Sequence, residues 1–246
     1  IVLKGASVVA LVWAVQVLFN MLALPLAQAR DRDALDPVSV GTGLGLIIVS
    51  VFVFPLLQSG YLAFAKSALS DENASAWSEF WRGVSTLYVR FLGLTWLVIL
   101  LIMAFSLLSA VVLLIPSAVA ARAPVAGAVL TLLATVPVAV GLYLLMLVTT
   151  MTPVVLVVDR ASILPAVRQA VVVGRHALSR LVLISLAVFV TLIPGLLLVA
   201  VPALAGWRIA AIIVQSLVGA VSAIVFAAAY VQIYHHSLNP KGERTP

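Results

Sequence analysis

The sequence predicts an all-α, polytopic integral membrane protein: a bundle of about six transmembrane helices with two interfacial amphipathic helices on the cytoplasmic side. Of 246 residues, 64% are hydrophobic and 9% are charged, whereas soluble domains carry about 25% charged residues. A water-soluble fold of this size cannot bury so much apolar surface. The apolar residues also form continuous blocks, which favours helices over barrel strands, where apolar and polar residues alternate.

The apolar blocks define a single transmembrane domain over 1–246, because several exceed the roughly 20 residues that cross about 30 Å of hydrocarbon. The expected spans are about 5–27, 38–65, 91–119, 125–158, 181–205 and 209–234. The fourth block is too long for one straight span, although tilt absorbs some excess. Its Pro137 and Pro153 are expected to kink or end it.

Two more polar segments, about 70–90 and 161–180, are predicted to be the amphipathic helices. In the first, aromatic residues recur at helical spacing on one face, which predicts ring anchors at headgroup depth. The alternative is a short helix on the soluble side that packs on the bundle. The second segment alternates arginines with aliphatic residues. The predicted interfacial anchors are Trp77, Phe80, Trp81, Tyr88 and Trp207.

The Lys and Arg distribution predicts that both termini are cytoplasmic. With the N-terminus inside, ten of these 14 cations lie on the cytoplasmic side and four lie outside, as the positive-inside rule requires. The net charge of +6 then reflects membrane orientation, and nucleic acid is not an expected partner. The inner ten are Lys4, Lys66, Arg82, Arg90, Arg160, Arg168, Arg175, Arg180, Lys241 and Arg244.

Six arginines of the inner group form the strongest candidate binding site, a basic cytoplasmic rim. They are expected to contact anionic lipid headgroups, at about 1 kcal/mol per charge near the surface, or a partner membrane subunit. The alternative is that they only set topology and snorkel. These six are Arg82, Arg90, Arg160, Arg168, Arg175 and Arg180.

Neither catalysis, a metal nor a cofactor is predicted. The centres of the six blocks contain no Asp, Glu, Lys, Arg or His, the residue types that usually mark function inside a membrane. There is no cysteine, so no thiolate metal site. The adjacent His235 and His236 alone do not make a metal site. No serine, histidine and carboxylate have a spacing that suggests a catalytic triad, and the sequence contains no HExxH motif.

The polar residues inside the blocks are amides and hydroxyls. They include Gln16, Asn20, Gln58, Thr149 and Thr150. Such groups commonly hydrogen-bond between helices; the other reading is that they line a substrate path. Small residues at helical spacing predict close helix packing. The predicted packing residues are Gly41, Gly45, Ser216, Ala220, Ala223 and Ala227.

Three motifs resemble a broad group of six-helix bacterial and archaeal membrane proteins, which includes the membrane domain fused to some glycerophosphodiester phosphodiesterases. They are Gly60-Tyr61, Trp77-x-x-Phe80-Trp81-Arg82-Gly83, and Ala166-Val167-Arg168 to Gly174-Arg175. The resemblance covers most of the chain, but the aromatic residue expected near Leu178 is missing. It implies a scaffold in a prokaryotic cytoplasmic membrane. In such fusions catalysis belongs to a separate soluble domain, so no functional residue is carried over.

The expected function is a non-enzymatic scaffold, accessory subunit or lipid-interacting protein of a larger membrane assembly. The lack of buried charge and of catalytic spacing motivates it. The alternative is a transporter or channel subunit for a neutral or amphiphilic solute. It rests on the six spans, on proline in spans four and five, and on an approximate parallel repeat of span, amphipathic helix and span.

Overall fold

The computed structural model describes residues 5–29, 37–70, 75–177, 179–184, 186, 187, 190 and 208–238. This part of the chain is almost entirely helical. The helices are α1 (Ala6–Ala29), α2 (Pro37–Ser70), α3 (Ala76–Ala120), α4 (Pro124–Val158), α5 (Ile163–His176) and α6 (Arg208–Leu238). All except α5 are long and apolar enough to cross a membrane, as a multi-pass membrane protein requires. Most of the predicted span 181–205, and Trp207, lie outside the described residues.

Helix α3 joins two elements that the sequence analysis separates. It runs through 45 residues and includes both most of the first amphipathic segment and the third predicted span. The physical reason is local: from Val84 to Leu92 there is no glycine or proline, so nothing interrupts the backbone hydrogen bonds. A separate interfacial helix over 70–90 is therefore not what the structure shows. The second amphipathic segment does form its own helix, α5.

Helices α3 and α4 form a long hairpin. The turn is short, and Pro124 occupies the first turn of α4, where its missing N–H costs nothing. A Cβ at Gly127 would lie 2.4 Å from the Cβ of Ala120, so only glycine lets the two helices approach this closely. Helix α4 continues through Pro137 and Pro153 without ending.

The buried core lies where α2 and α4 end and α3 begins. Its largest fully buried side chains include Phe64, Phe80, Phe91, Met151 and Tyr234. Hydrogen bonds tie the helix ends together there, as described below. By contrast, the parts of α3 and α4 near their connecting turn expose most of their large aliphatic side chains, which suits contact with lipid.

Two glycines set the close crossing of α2 and α3. A Cβ at Gly60 would lie 2.3 Å from the Phe80 ring, and one at Gly83 would lie 2.3 Å from the Ala63 Cβ. The predicted packing pair in α2 differs: among the described residues outside its own helix, no atom lies within 4 Å of a Cβ placed at Gly41 or Gly45. Packing at Gly41 and Gly45 therefore stays a prediction, because the spacing of a small-residue pair does not reveal which face a neighbour approaches.

Candidate functional site

The basic cleft is a cavity of about 370 Å³ between α2, α3 and the end of α4. Three cations line it: Lys66, Arg82 and Arg160. The hydroxyl residues Ser67, Ser70 and Thr86 and one acid, Glu79, also line it. Arg82 and Arg160 belong to the candidate site predicted from the sequence, whereas Lys66, the cation that closes an otherwise apolar block, does not.

Lys66 is held by the end of α4. Its Nζ donates to the carbonyl oxygens of Val158, at 3.0 Å, and Val157, at 3.2 Å. The last carbonyls of a helix have no partner within the helix, and a cation there complements the negative end of the helix dipole. Lys66 therefore joins α2 to α4 and fixes a positive charge in the cleft.

Arg160 follows α4 in an unusual conformation. Its φ is 51°, the only positive φ at a non-glycine residue in the described chain, and this region costs L-residues about 1–2 kcal/mol. The Arg90 Nη1 donates to the Arg160 carbonyl oxygen at 2.6 Å and to that of Ala161 at 3.3 Å. Arg90 thus stabilises the backbone after α4, while the side chain of Arg160 lines the cleft.

The two described acids at this end are already engaged. Glu79 forms an ion pair with Arg82. The Asp159 carboxylate accepts hydrogen bonds from the Tyr234 hydroxyl and, at 2.9 Å, from the Gln169 amide. Asp159 thereby links the end of α4 to the middle of α5 and to the C-terminal part of α6. Of the described cations here, only Arg82 has an acidic partner, so the described residues at this end carry a net positive charge.

The outer face of α5 continues this positive surface. Leu164 and Val172 are 75% and 52% exposed. Arg168, between them, and Arg175, one turn beyond Val172, are exposed as well. The opposite face packs against the bundle through buried small and aliphatic residues, which include Ala166, Ala170, Val173 and Gly174. Arg180, after α5, is also exposed. A face that mixes arginine with bare aliphatic side chains is typical of helices at a membrane surface.

The predicted aromatic anchors separate into two groups. Trp77 and Trp81 are 45% and 44% exposed, and their rings contact each other edge to face at 5.6 Å. Tyr88 is half-buried. Phe80 differs from the prediction, because its side chain is 0% exposed and packs in the core beside Gly60. Helical spacing placed Phe80 on the same face as the tryptophans without showing that α2 covers that position.

The uncharged cavity is a second space, of about 410 Å³, among α1, α2, α4 and α6. None of the described residues that line it is charged. Its polar lining residues are Gln16, Gln58, Tyr61, Thr149, Thr150, Ser222 and Tyr230. The remaining lining is mainly apolar and includes Leu62, Val154 and Phe226. The sequence analysis noted four of these polar residues but could not show that four helices bring them together.

Hydrogen bonding differs between polar residues in the spans. The hydroxyls of Thr149 and Thr150 donate to the Met146 carbonyl oxygen at 3.0 and 2.7 Å. Asn20 donates to the Ser216 hydroxyl at 3.0 Å and so joins α1 to α6. The amides of Gln16 and Gln58 make no hydrogen bond among the described residues.

The predicted packing stripe of α6 lies against the bundle. Ser216, Ala220 and Ala227 are buried, and α6 contacts both α1 and α2. Ala223 and Ala227 also line the uncharged cavity. Their small side chains leave the cavity unfilled.

No group of three or more His, Asp or Glu residues in the described part of the chain could hold a metal ion. Comparison with models of known protein families, with curated proteins and with solved structures finds no match for this chain. The resemblance to the six-helix group therefore stays an expectation.

Proposed function

We propose that this chain is a non-enzymatic membrane protein that binds anionic lipid headgroups and serves as a scaffold or accessory subunit of a membrane assembly. The observation that supports the proposal is the excess of unpaired cations at one end of the bundle. Lys66 and Arg160 line the basic cleft, and Arg168 and Arg175 lie on the outer face of α5. Under the positive-inside rule, these charges favour a cytoplasmic location for this end of the bundle.

The cleft suits a phosphate-bearing headgroup. Three cations, of which Arg82 is paired with Glu79, and three hydroxyl residues line a cavity of about 370 Å³, which falls within the roughly 300–1,000 Å³ of small-molecule sites. Hydrogen bonds between charged donors and phosphate oxygens are among the strongest in proteins. Because the Lys66 ammonium is held by α4, part of the entropy cost of positioning its charge is met on folding.

The outer face of α5 supplies a second contact with the same surface. Its aliphatic side chains are placed to enter the headgroup region while Arg168 and Arg175 meet phosphates. Each cation near an anionic surface contributes about 1 kcal/mol. A triple change of Arg168, Arg175 and Arg180 to Gln therefore lowers anionic-lipid affinity by about 3 kcal/mol, or roughly 100-fold.

The test measures lipid selectivity of protein reconstituted in nanodiscs of phosphatidylcholine with and without phosphatidylglycerol. Native mass spectrometry would count retained phosphatidylglycerol for the wild type and the triple variant. The matched control is Arg122→Gln, which removes a cation at the α3–α4 turn, far from the cleft. Wild-type retention of phosphatidylglycerol by the triple variant would overturn the proposal, as would turnover of any lipid by the purified protein. A co-purifying membrane polypeptide would support the accessory-subunit role.

A second candidate function is transport of a neutral or amphiphilic solute, and the uncharged cavity favours it. The cavity lies among helices that are long and apolar enough to span the membrane and has no charged lining among the described residues. Flux of uncharged solutes into proteoliposomes would support this function. Absence of flux across a broad panel of such solutes would exclude it.

A further inference from the structure

The uncharged cavity lies within the apolar spans, not at their ends. Gln16 belongs to the candidate span Ala6–Ala23, and Gly219 and Ser222 belong to Ile212–Ser237. Water is scarce at this depth, so a polar group without a protein partner loses hydrogen bonding that it would have outside the bilayer. An occupant that restores these hydrogen bonds is therefore strongly favoured.

The unsatisfied groups define the chemistry of the occupant. The two glutamine amides together offer four N–H donors and two carbonyl acceptors, and neither has a partner among the described residues. The hydroxyl protons of Thr149 and Thr150 are committed to Met146, which leaves their oxygens as acceptors. The cavity thus calls for a molecule with several acceptor oxygens and at least one hydroxyl donor.

The electrostatics exclude a charged occupant. No described lining residue carries a charge that would offset the desolvation of an ion. The apolar lining, with Leu62, Val154 and Phe226, suits hydrocarbon. With about 410 Å³ of space, the cavity is far larger than one water molecule needs.

We propose that the uncharged cavity binds a neutral lipid whose head carries ester carbonyls and a free hydroxyl, of the diacylglycerol class. The amides of Gln16 and Gln58 donate to the ester carbonyls. The free hydroxyl donates to a threonine oxygen, and the acyl chains follow the apolar walls. This inference deepens the second candidate function by naming the ligand class and rests on its cavity, although binding does not require transport.

Gly219 provides a selective way to change the cavity. A Cβ at this position would lie 2.8 Å from the Gln16 Oε1. Gly219→Ala therefore displaces the Gln16 amide, yet the atom it meets belongs to a flexible side chain and not to backbone. Gly45→Ala is the matched control, because it makes the same change at a helical position where no described atom of another helix lies within 4 Å of the new Cβ.

The experiment uses a photoactivatable diacylglycerol in phosphatidylcholine vesicles that contain the protein, with peptide mass spectrometry to locate the adducts. We expect adducts on the lining segments of α1, α2, α4 and α6 in the wild type and in Gly45→Ala. Gly219→Ala should reduce them about tenfold, and Gln58→Leu, which keeps the fold but removes one amide, should do the same. Excess unlabelled diacylglycerol should compete, and anionic phosphatidic acid should not.

Three results would overturn the inference: equal labelling in Gly219→Ala and Gly45→Ala, adducts confined to the lipid-exposed residues of α3 and α4, or equal competition by phosphatidic acid. Labelling of the cavity without solute flux leaves the binding site intact and removes the transport function. Flux of another neutral solute without labelling of the cavity would support the transport function and overturn the proposed diacylglycerol site.

Discussion

The basic cleft and the uncharged cavity are bounded by neighbouring turns of the same two helices, yet they use polar groups in opposite ways. Leu62 and Val154 line the cavity, whereas Lys66 and Val157 line the cleft. At the helix ends, unpaired backbone carbonyls are available, and Lys66 donates to two of them. Further inside, each backbone carbonyl already accepts a helical hydrogen bond. Thr149 and Thr150 still donate to a carbonyl of their own helix, whereas the Gln58 amide makes no hydrogen bond among the described residues. Position along the helix thus distinguishes the two groups: Lys66, near the helix end, is held by backbone carbonyls, and Gln58, deeper in the span, is unpaired among the described residues.

The largest expected effect tests how tightly the cleft is built. A Cβ at Gly83, which lines the cleft, would lie 2.3 Å from the Ala63 Cβ and 2.6 Å from the Ser59 carbonyl oxygen. Because backbone has to move, Gly83→Ala should lower the free energy of unfolding by about 3 kcal/mol. Gly45→Ala should instead raise it by up to about 1 kcal/mol through helix propensity. Denaturant unfolding in detergent measures both, and equal stabilities would contradict the observed α2–α3 crossing.

The next effect tests whether Lys66 is a structural cation. Lys66→Met keeps the aliphatic length but removes both hydrogen bonds to the end of α4. The free energy of unfolding should fall by about 2 kcal/mol, since hydrogen bonds to charged groups are worth about 1.5–3 kcal/mol. Arg122→Met should change it by less than about 0.5 kcal/mol. The comparison fails if thermal unfolding shows no difference between the two variants.

Removal of a polar group from the uncharged cavity should change the free energy of unfolding in the opposite direction. In delipidated protein, Gln58→Leu removes an amide without a partner and should raise the free energy of unfolding by about 1 kcal/mol. Asn20→Leu breaks the hydrogen bond to Ser216 and should lower it by about 0.6 kcal/mol. Urea or dodecyl sulfate titration distinguishes these signs. A loss of stability in Gln58→Leu as large as that in Asn20→Leu would show that the amide is structurally engaged.

The smallest expected effect on stability is that of Arg160→Gly, which should weaken lipid binding in the cleft without weakening the fold. Arg160→Gly removes a cation but relieves the strain of a positive φ at a non-glycine residue, while glycine costs about 0.5–1 kcal/mol in unfolded-chain entropy. The two contributions nearly cancel, so thermal unfolding should change by less than about 1 kcal/mol. Retention of phosphatidylglycerol should fall about fivefold. An unchanged retention would show that Arg160 does not contact headgroups.

Sequence alone predicts much of the helical architecture, because composition and block length set it. Five described helices are long and apolar enough to cross a membrane, in line with an all-helical multi-pass protein. The boundary at Arg90 was wrong, since a drop in polarity does not end a helix whose backbone meets no glycine or proline. Interfacial placement of α5 and the count of six spans stay predictions.

The sites were less predictable for a different reason. Arg82 and Arg160 were found by charge alone, but Lys66 acts through carbonyls contributed 91 and 92 residues later. Likewise, Gln16 and Gln58 belong to different helices, and only tertiary packing shows that they line one space. Single-sequence periodicity identifies a face of one helix; it does not identify the neighbour that the face meets.

The length of α3 has a mechanical consequence. Its apolar part, from Phe91 to Ala120, measures about 45 Å at 1.5 Å per residue, against about 30 Å of hydrocarbon. The α3–α4 hairpin must therefore tilt steeply or thicken the surrounding bilayer. Lys66 and Arg90 connect the base of the hairpin to neighbouring backbone. A change in bilayer thickness that alters the tilt of the hairpin would therefore alter the geometry of the cleft. We expect the protein to partition into thick membrane regions and to report their thickness at its charged end.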